Sequence, residues 1–467
     1  MTVDRSRLPE PGAVRPFTFP SIEKSVLPSG LRVWSVRHSA VPVATFVLLL
    51  RRGSASDPPG KEGLAALTLD MLDEGSGQRT AIEMHEALAN LGAQFETDIG
   101  ADAAAATMTA LGRFAGPGLT LVADMVARPS LTAADFQRVR QLRLHRLTQL
   151  RDVPGAVADR IFIKLLYGPH PYGHTSMGTE ASLAGLTLDD VRSFHARSIR
   201  PDVATLVAIG DCDHARIEKM AADAFAGWEA ADDGGRAAVA HADVGALPEA
   251  PPGPARDEAA RLFIVPRPGA PQSELRIGHV AVARTTPDYH PLVAANMILG
   301  GQFVSRINLN LREDKGFTYG ARTAFDFRRM PGPFSLQLSV QTAATARAIE
   351  ESLGEIAAIR GPRPATAEEL ALGVAALTRG YARNFETAEQ IARAATQIAL
   401  YDLPDDYFVQ FVPNVERVTT ADVTRAAAAH LDPARLITLV VGDLEVVADD
   451  LEQLGLGAPV VLSAESF

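Results

Sequence analysis

Two kinds of apolar run occur along this chain: short continuous runs bounded by turn residues, and longer runs in which apolar residues recur every three or four positions. Gly30 to Trp34 and Pro42 to Leu50 read as strands. Gly63 to Asp73 and Ile82 to Leu91 read as helices, and Ala103 to Leu111 as a further strand. The apolar run Val41 to Leu50 is too short to span a bilayer and fits a buried strand. Strands and helices mix without strict alternation, which predicts an α+β class built on a largely antiparallel sheet.

The pattern also repeats. LTLDDVRSFHARSIRPDVATLVAIGD, from Leu186 to Asp211, and VTTADVTRAAAAHLDPARLITLVVGD, from Val418 to Asp443, align without a gap at an offset of 232 residues. Val191 meets Val423, Pro201 meets Pro433, and Gly210-Asp211 meets Gly442-Asp443. Each copy reads as a capped helix, a proline-marked turn and a continuous apolar strand. TAADF at Thr132 to Phe136 matches TAEEL at Thr366 to Leu370 at nearly the same offset. Between the copies, Ala230 to Glu258 is rich in Gly, Pro and Ala and lacks apolar period, a linker composition. The expected organisation is an N-terminal domain over 1–229, a linker over 230–258 and a homologous C-terminal domain over 259–467.

Composition narrows the function. Hydrophobic residues at 47% and charged residues at 22% fit a globular protein and exclude a disordered or fibrous one. A net charge of −11 argues against nucleic acid as a partner, because phosphate binding needs a basic surface. One cysteine, Cys212, excludes an intrachain disulfide and a cysteine-rich metal site. The start carries charges and prolines where an export signal has an apolar core. The expected setting is therefore cytoplasmic, with no membrane partner, or periplasmic if an export signal upstream has been removed.

Met297 to Phe325 carries the most specific chemistry. Phe303, Ile307 and Leu311 recur at helical spacing, and Lys315-Gly316 supplies a stop. Phe317, Tyr319, Ala321, Thr323 and Phe325 then alternate as a strand. Arg312 thus falls in the last helical turn and Tyr319 three residues beyond the glycine, so a tight turn places both on one rim.

This segment resembles the C-half signature of the pitrilysin, or insulinase, peptidases: a Gly-Gly and Ser-Arg pair followed by R-E-x-x-G-x-x-Y. Here those positions are Gly300-Gly301, Ser305-Arg306, Arg312-Glu313, Gly316 and Tyr319. The resemblance implies two α/β halves, each a mainly antiparallel sheet with helices on one face, joined by the linker and facing a cavity. It also implies that the arginine binds a substrate carbonyl and that the tyrosine hydroxyl donates to the oxygen that becomes negative at a zinc ion. In the N-half, GSASDPPGKEGLAALTLDMLDEGS is similar to the family's opening zinc segment, where H-x-x-E-H begins a helix. Registered on Gly63-Leu64-Ala65, that motif falls on Ala66, Leu69 and Asp70, and the third ligand falls in Gln141 to Leu150, where His145 and Arg146 stand instead of a carboxylate. His170 and His174 are four apart, but Pro171 and Gly173 between them predict a turn and a structural role.

The resemblance therefore implies a peptidase-family subunit that binds no metal itself and is inactive alone. Arg312 and Tyr319 would bind peptide beside a homologous, zinc-bearing partner in a heterodimer. An inert scaffold or peptide-binding protein of the same fold is the alternative, and a self-sufficient enzyme with a rearranged metal site is a third. The register further suggests that Asp70 and Arg146 pair directly across the lost site.

Overall fold

The computed structural model describes residues 17–229 and 261–463. The expected linker at 230–258 lies outside the described residues. In the first part, β1 (Glu23–Val26), β2 (Arg32–Arg37) and β3 (Val43–Leu50) precede a small ribbon of β4 (Gly75–Ser76) and β5 (Arg79–Thr80). β6 (Gln94–Ile99), β7 (Ala104–Leu111) and β8 (Ala204–Gly210) complete the first sheet, in the order β1-β2-β8-β3-β7-β6. The second part contributes β9 (Leu262–Pro266), β10 (Gln272–Val280), β11 (Ala321–Phe325), β12 (Pro333–Gln341), β13 (Ile437–Gly442) and β14 (Val460–Val461), in the order β11-β12-β10-β13-β9-β14.

Five strands correspond one to one. β2-β8-β3-β7-β6 and β9-β13-β10-β12-β11 run in the same order with the same pairing senses, parallel for the first pair and antiparallel for the rest. The helices that position the sites are α1 (Leu64–Asp70), α2 (Ala133–Arg151), α3 (Pro154–Tyr167), α4 (Leu188–Ser198), α5 (Tyr289–Leu299), α6 (Ala367–Thr378), α7 (Ala388–Tyr401), α8 (Tyr407–Glu416) and α9 (Thr420–His430). The sequence repeat is a structural one. α4 and α9 both start from a threonine that takes the N–H of an aspartate three residues on, Thr187 with Asp190 and Thr419 with Asp422. α2 and α6 likewise start at Thr132 and Thr366.

Each sheet buries one face against helices of its own half. Leu48, Leu206 and Met108 face Leu119 and Val122, while Ile277, Leu336 and Val440 face Ile298 and Ile349. The other faces are covered by exchange. α3, from the first half, lays Val157, Ile161 and Phe162 on Val265, Leu439 and Val441 of the second sheet. α7, from the second half, lays Ala388, Ile391, Ala392 and Ala395 on Val36, Val47, Val207 and Ile209 of the first. The expectation of helices on one face thus holds for each half's own helices, and a lent helix closes the opposite face. This is why β8 and β13 are buried at every position and apolar at all but one, Thr205 and Thr438.

Polar ties reinforce the exchange. The Arg51 guanidinium forks onto Asp402 at 3.0 and 2.7 Å. Asp402 ends α7 in the left-handed region (φ 52), which aspartate tolerates better than most residues. Asp102 accepts the Tyr172 hydroxyl and, from the other half, the Arg329 N–H at 2.8 Å.

Candidate functional site

Close packing fixes the segment that carries Arg312 and Tyr319. A Cβ at Gly300 would come within 2.6 Å of the Thr323 hydroxyl, and one at Gly301 within 2.6 Å of the Asn296 amide nitrogen. Only glycine lets β11 and α5 approach this closely. Arg306 is buried, with its guanidinium on Glu369 at 2.6 and 2.7 Å and on the carbonyls of Arg363 and Pro364. That pairing holds the Glu369 carboxyl down at about 2. The Asn308 amide donates to the carbonyls of Gln302 and Ala321, and its oxygen accepts the Ala321 N–H at 2.9 Å. Asn308 therefore clamps the start of β11 to the preceding turn.

Between these anchors the backbone departs from the expected regular helix and strand. A single α-turn, Arg306–Asn308, widens into a π-turn, Leu309–Asp314, and the Lys315 N–H donates to the Asn310 carbonyl five residues back. Gly316 ends the turn at φ 65. Ile307 and Leu311 are buried as the spacing predicts, but Phe303 is 62% exposed. The strand starts at Ala321, not Phe317, because the Thr318 hydroxyl donates to the Ser339 carbonyl and accepts the Gly320 N–H, turning the chain. Tyr319 stands at the tip of that turn, 91% exposed.

Arg312 and Tyr319 line one open pocket of ≈ 310 Å³, together with Gln272, Gln341 and Thr318. Gln272 and Gln341 are register partners across β10 and β12. The Arg312 guanidinium lies 3.9 Å from the Phe303 ring centroid. Its Nη1 is 3.1 Å from the Glu313 carboxylate without the alignment of a hydrogen bond, and it is buried with no acceptor. A cation, a phenol and two primary amides around one pocket offer donors to the carbonyls of a peptide, and the Glu313 carboxylate on the same wall offers an acceptor to its N–H groups.

The positions registered on the zinc motif are elsewhere, on α1. Asp57 caps this helix, accepting the N–H groups of Gly63 and Ala65 at 2.7 Å each. Burial pushes its carboxyl up to about 7. Ala66 and Leu69 are buried and apolar. The Asp70 carboxylate is taken by Arg143 Nη1 at 2.5 Å, and Nη2 of the same guanidinium donates to the Ser176 carbonyl at 2.8 Å. Asp70 thus pairs with Arg143, and the expected Asp70–Arg146 pair is not formed. Phe136, Val139 and Leu147 turn one face of α2 toward α1, with Arg143 on that face and Arg146 rotated out to solvent.

These residues do not fit a zinc ion: the one carboxylate is already held by a guanidinium, and its neighbours offer no donor. Among the described residues, no group of three or more His, Cys, Asp or Glu could hold a metal. His145 is exposed and bonded to Gln141. His170 and His174 lie in the expected turn, where His170 accepts the Tyr172 N–H at 3.0 Å and burial pushes His174 below the usual histidine range. Phe303, read from its spacing as one of a helical set, is instead the exposed ring beside the Arg312 guanidinium, while Arg143, Asp57 and Asn308 escape the sequence reading. Only Arg143 leaves a signal there, its four-residue spacing from Val139 and Leu147.

Comparison with known proteins agrees with this geometry. Residues 32–179 match the family described as insulinase (peptidase family M16), and residues 185–377 match the peptidase M16 inactive domain. An uncharacterised zinc protease of Streptomyces coelicolor is 24% identical over 64% of this chain, and the match spans 63% of that protein, just under two thirds of its length. A probable mitochondrial-processing peptidase subunit beta of Schizosaccharomyces pombe is 22% identical over 46% of this chain and 48% of its own. The crystal structure of a peptidase M16 inactive domain from Pseudomonas fluorescens superposes with a TM-score of 0.80 at 24% identity, covering 91% of this chain and 98% of that one. A Helicobacter pylori protease superposes with a TM-score of 0.80 at 18% identity, covering 90% and 99%. With two successive family matches over residues 32–179 and 185–377 and the fold shared over 91% of its length, this chain belongs to the M16, or insulinase, peptidase family.

Proposed function

We propose that this chain is the substrate-gripping, zinc-free subunit of a heteromeric M16 peptidase, completed by a homologous partner that carries the zinc. The observation that carries this reading is the contrast between its two sites. Arg312 and Tyr319 share one open pocket, whereas α1 presents Ala66, Leu69 and an Asp70 already bound by Arg143. The match to an inactive M16 domain and the likeness to a protein named as a peptidase subunit support it. Arg312 binds a carbonyl oxygen of the peptide, and the Tyr319 hydroxyl donates to the oxygen that gains charge as the amide is attacked. A preplaced donor of this kind contributes about 10²–10³-fold in rate.

The test is reconstitution with a homologous chain that has an intact H-x-x-E-H. The pair should cleave peptides, and this chain with added zinc should not; robust hydrolysis by this chain alone would overturn the reading. Tyr319→Phe should cut turnover by about 10²–10³-fold while the complex still assembles. Unchanged turnover with intact assembly would instead assign the chain as an inert scaffold.

A further inference from the structure

A second pocket, of ≈ 290 Å³, shares no lining residue with the Arg312–Tyr319 pocket. It lies between α7, α8 and the short helix Tyr381–Phe385. Aromatic rings build its walls: Tyr381 stacks on Phe411 with centroids 4.8 Å apart, and Phe385 packs on Phe408 at 5.3 Å. The polar side comes from α7. Its apolar face is committed to the first sheet, so the helix cannot rotate, and Gln390, Arg393 and Gln397 are turned into the pocket. Gln390 Oε1 already accepts the N–H groups of Glu386 and Thr387, which leaves its NH₂ group to donate.

The charge here runs against that of the whole molecule. In a chain of net charge −11, no aspartate or glutamate among the described residues lines this pocket. Arg393 is exposed at its wall and makes no ion pair with any described residue. A second guanidinium, Arg284, is buried behind the wall, its carbon 3.7 Å from the Tyr289 ring centroid and 4.8 Å from that of Tyr407. No described carboxylate pairs with it either. Aromatic faces offset part of the cost of a buried cation, and an anion nearby would offset more. Two cations without a described carboxylate partner thus flank a largely aromatic cavity and favour an anion in it.

We propose that this pocket binds a carboxylate attached to an aromatic or large apolar group. The carboxylate meets Arg393 and the Gln390 amide, and the apolar body lies against Tyr381, Phe385 and Phe411. That chemistry is shared by the C-terminal residue of a peptide and by a free aromatic acid. The proposal stands independently of the role given to Arg312 and Tyr319.

Calorimetric titration of the full chain tests it, with 3-phenylpropanoate, 3-phenylpropanamide and the tripeptide Gly-Gly-Phe as probes. At least one of the two acids should bind saturably, and the amide should bind about tenfold or more weakly, the loss expected for one charge-assisted contact. Arg393→Gln should weaken the acid by a similar factor, and because Arg393 is exposed this variant keeps its fold. Binding of the tripeptide as tightly as the small acid assigns a peptide end, and binding of the small acid alone assigns a free aromatic acid. Absence of saturable binding by either acid, equal binding of the amide, or an Arg393→Gln variant with full affinity would overturn the proposal.

Discussion

Asp57 binds its proton more tightly in the folded chain than in the unfolded one, because burial outweighs the two N–H groups it caps. Folding therefore takes up a proton between the ordinary aspartate value of 3.8 and about 7. The stability tied to this group is fully present below the lower value and declines as pH rises through the upper one. Asp57→Asn removes that titration, so urea-derived unfolding free energies should fall less steeply from pH 4 to 8 in the variant; parallel curves would contradict the assignment. Glu369 acts with the opposite sign. Its carboxyl, held down at about 2 by Arg306, contributes fully above the usual glutamate value of 4.5 and less as pH falls toward 2. Glu369→Gln should flatten the acid limb, which stepwise acid unfolding followed by circular dichroism reads directly. At the degenerate zinc position, Arg143 already neutralises Asp70. Zinc or a chelator should thus leave the thermal midpoint of the isolated chain unchanged, while chelation should abolish turnover of the reconstituted complex. A zinc-dependent rise in midpoint would show a metal site in this chain.

Among the elements, the turn from Arg306 to Gly320 depends most on a single side chain. Asn308→Ala would leave the N–H and carbonyl of Ala321 without their partner inside the protein. The expected cost is about 1–3 kcal/mol, together with lower turnover of the complex although neither Arg312 nor Tyr319 is touched. A stability loss with full turnover would mean that the clamp does not position the pair. This element also shows what the sequence could and could not convey. The buried positions Ile307 and Leu311 are legible because their four-residue spacing holds at the start of the turn. The π-widening is not, since an added residue in a helical turn changes the hydrogen-bond ladder without a distinctive residue type. The alternation from Phe317 to Phe325 suggests a strand throughout, yet one threonine hydroxyl diverts its first part. Similarly, Asp70 is placed correctly on α1, but its partner lies three residues from the expected one, because a family spacing does not specify the rotation of α2.

At the scale of the whole chain, the exchange of α3 and α7 makes the two halves one cooperative unit. Both tryptophans, Trp34 and Trp228, lie in the first half. Ile277→Ala, in the core of the second sheet, should cost about 2–5 kcal/mol. It should shift the tryptophan-fluorescence transition together with the far-ultraviolet one. Two separated transitions, with only the second displaced, would show that the halves unfold independently. The repeat itself is legible in the sequence, through Thr187 and Thr419 and the Gly-Asp endings, because each half must build the same unit. The exchange is not, because the apolar stripe of Ile391, Ala392 and Ala395 would look the same against either sheet.

That exchange also has a cost in time during synthesis. The outer face of the first sheet, with Val36, Val47, Val207 and Ile209, is finished once Gly210 has emerged, but the helix that covers it begins only at Ala388. At ribosomal speeds of roughly 5–20 residues per second, the nascent first half carries a bare apolar face for on the order of tens of seconds. Slowed translation lengthens that window, and a chaperone that shields such faces shortens the effective exposure. The yield of soluble protein should therefore depend on elongation rate and chaperone supply more than the stability of the finished fold would suggest.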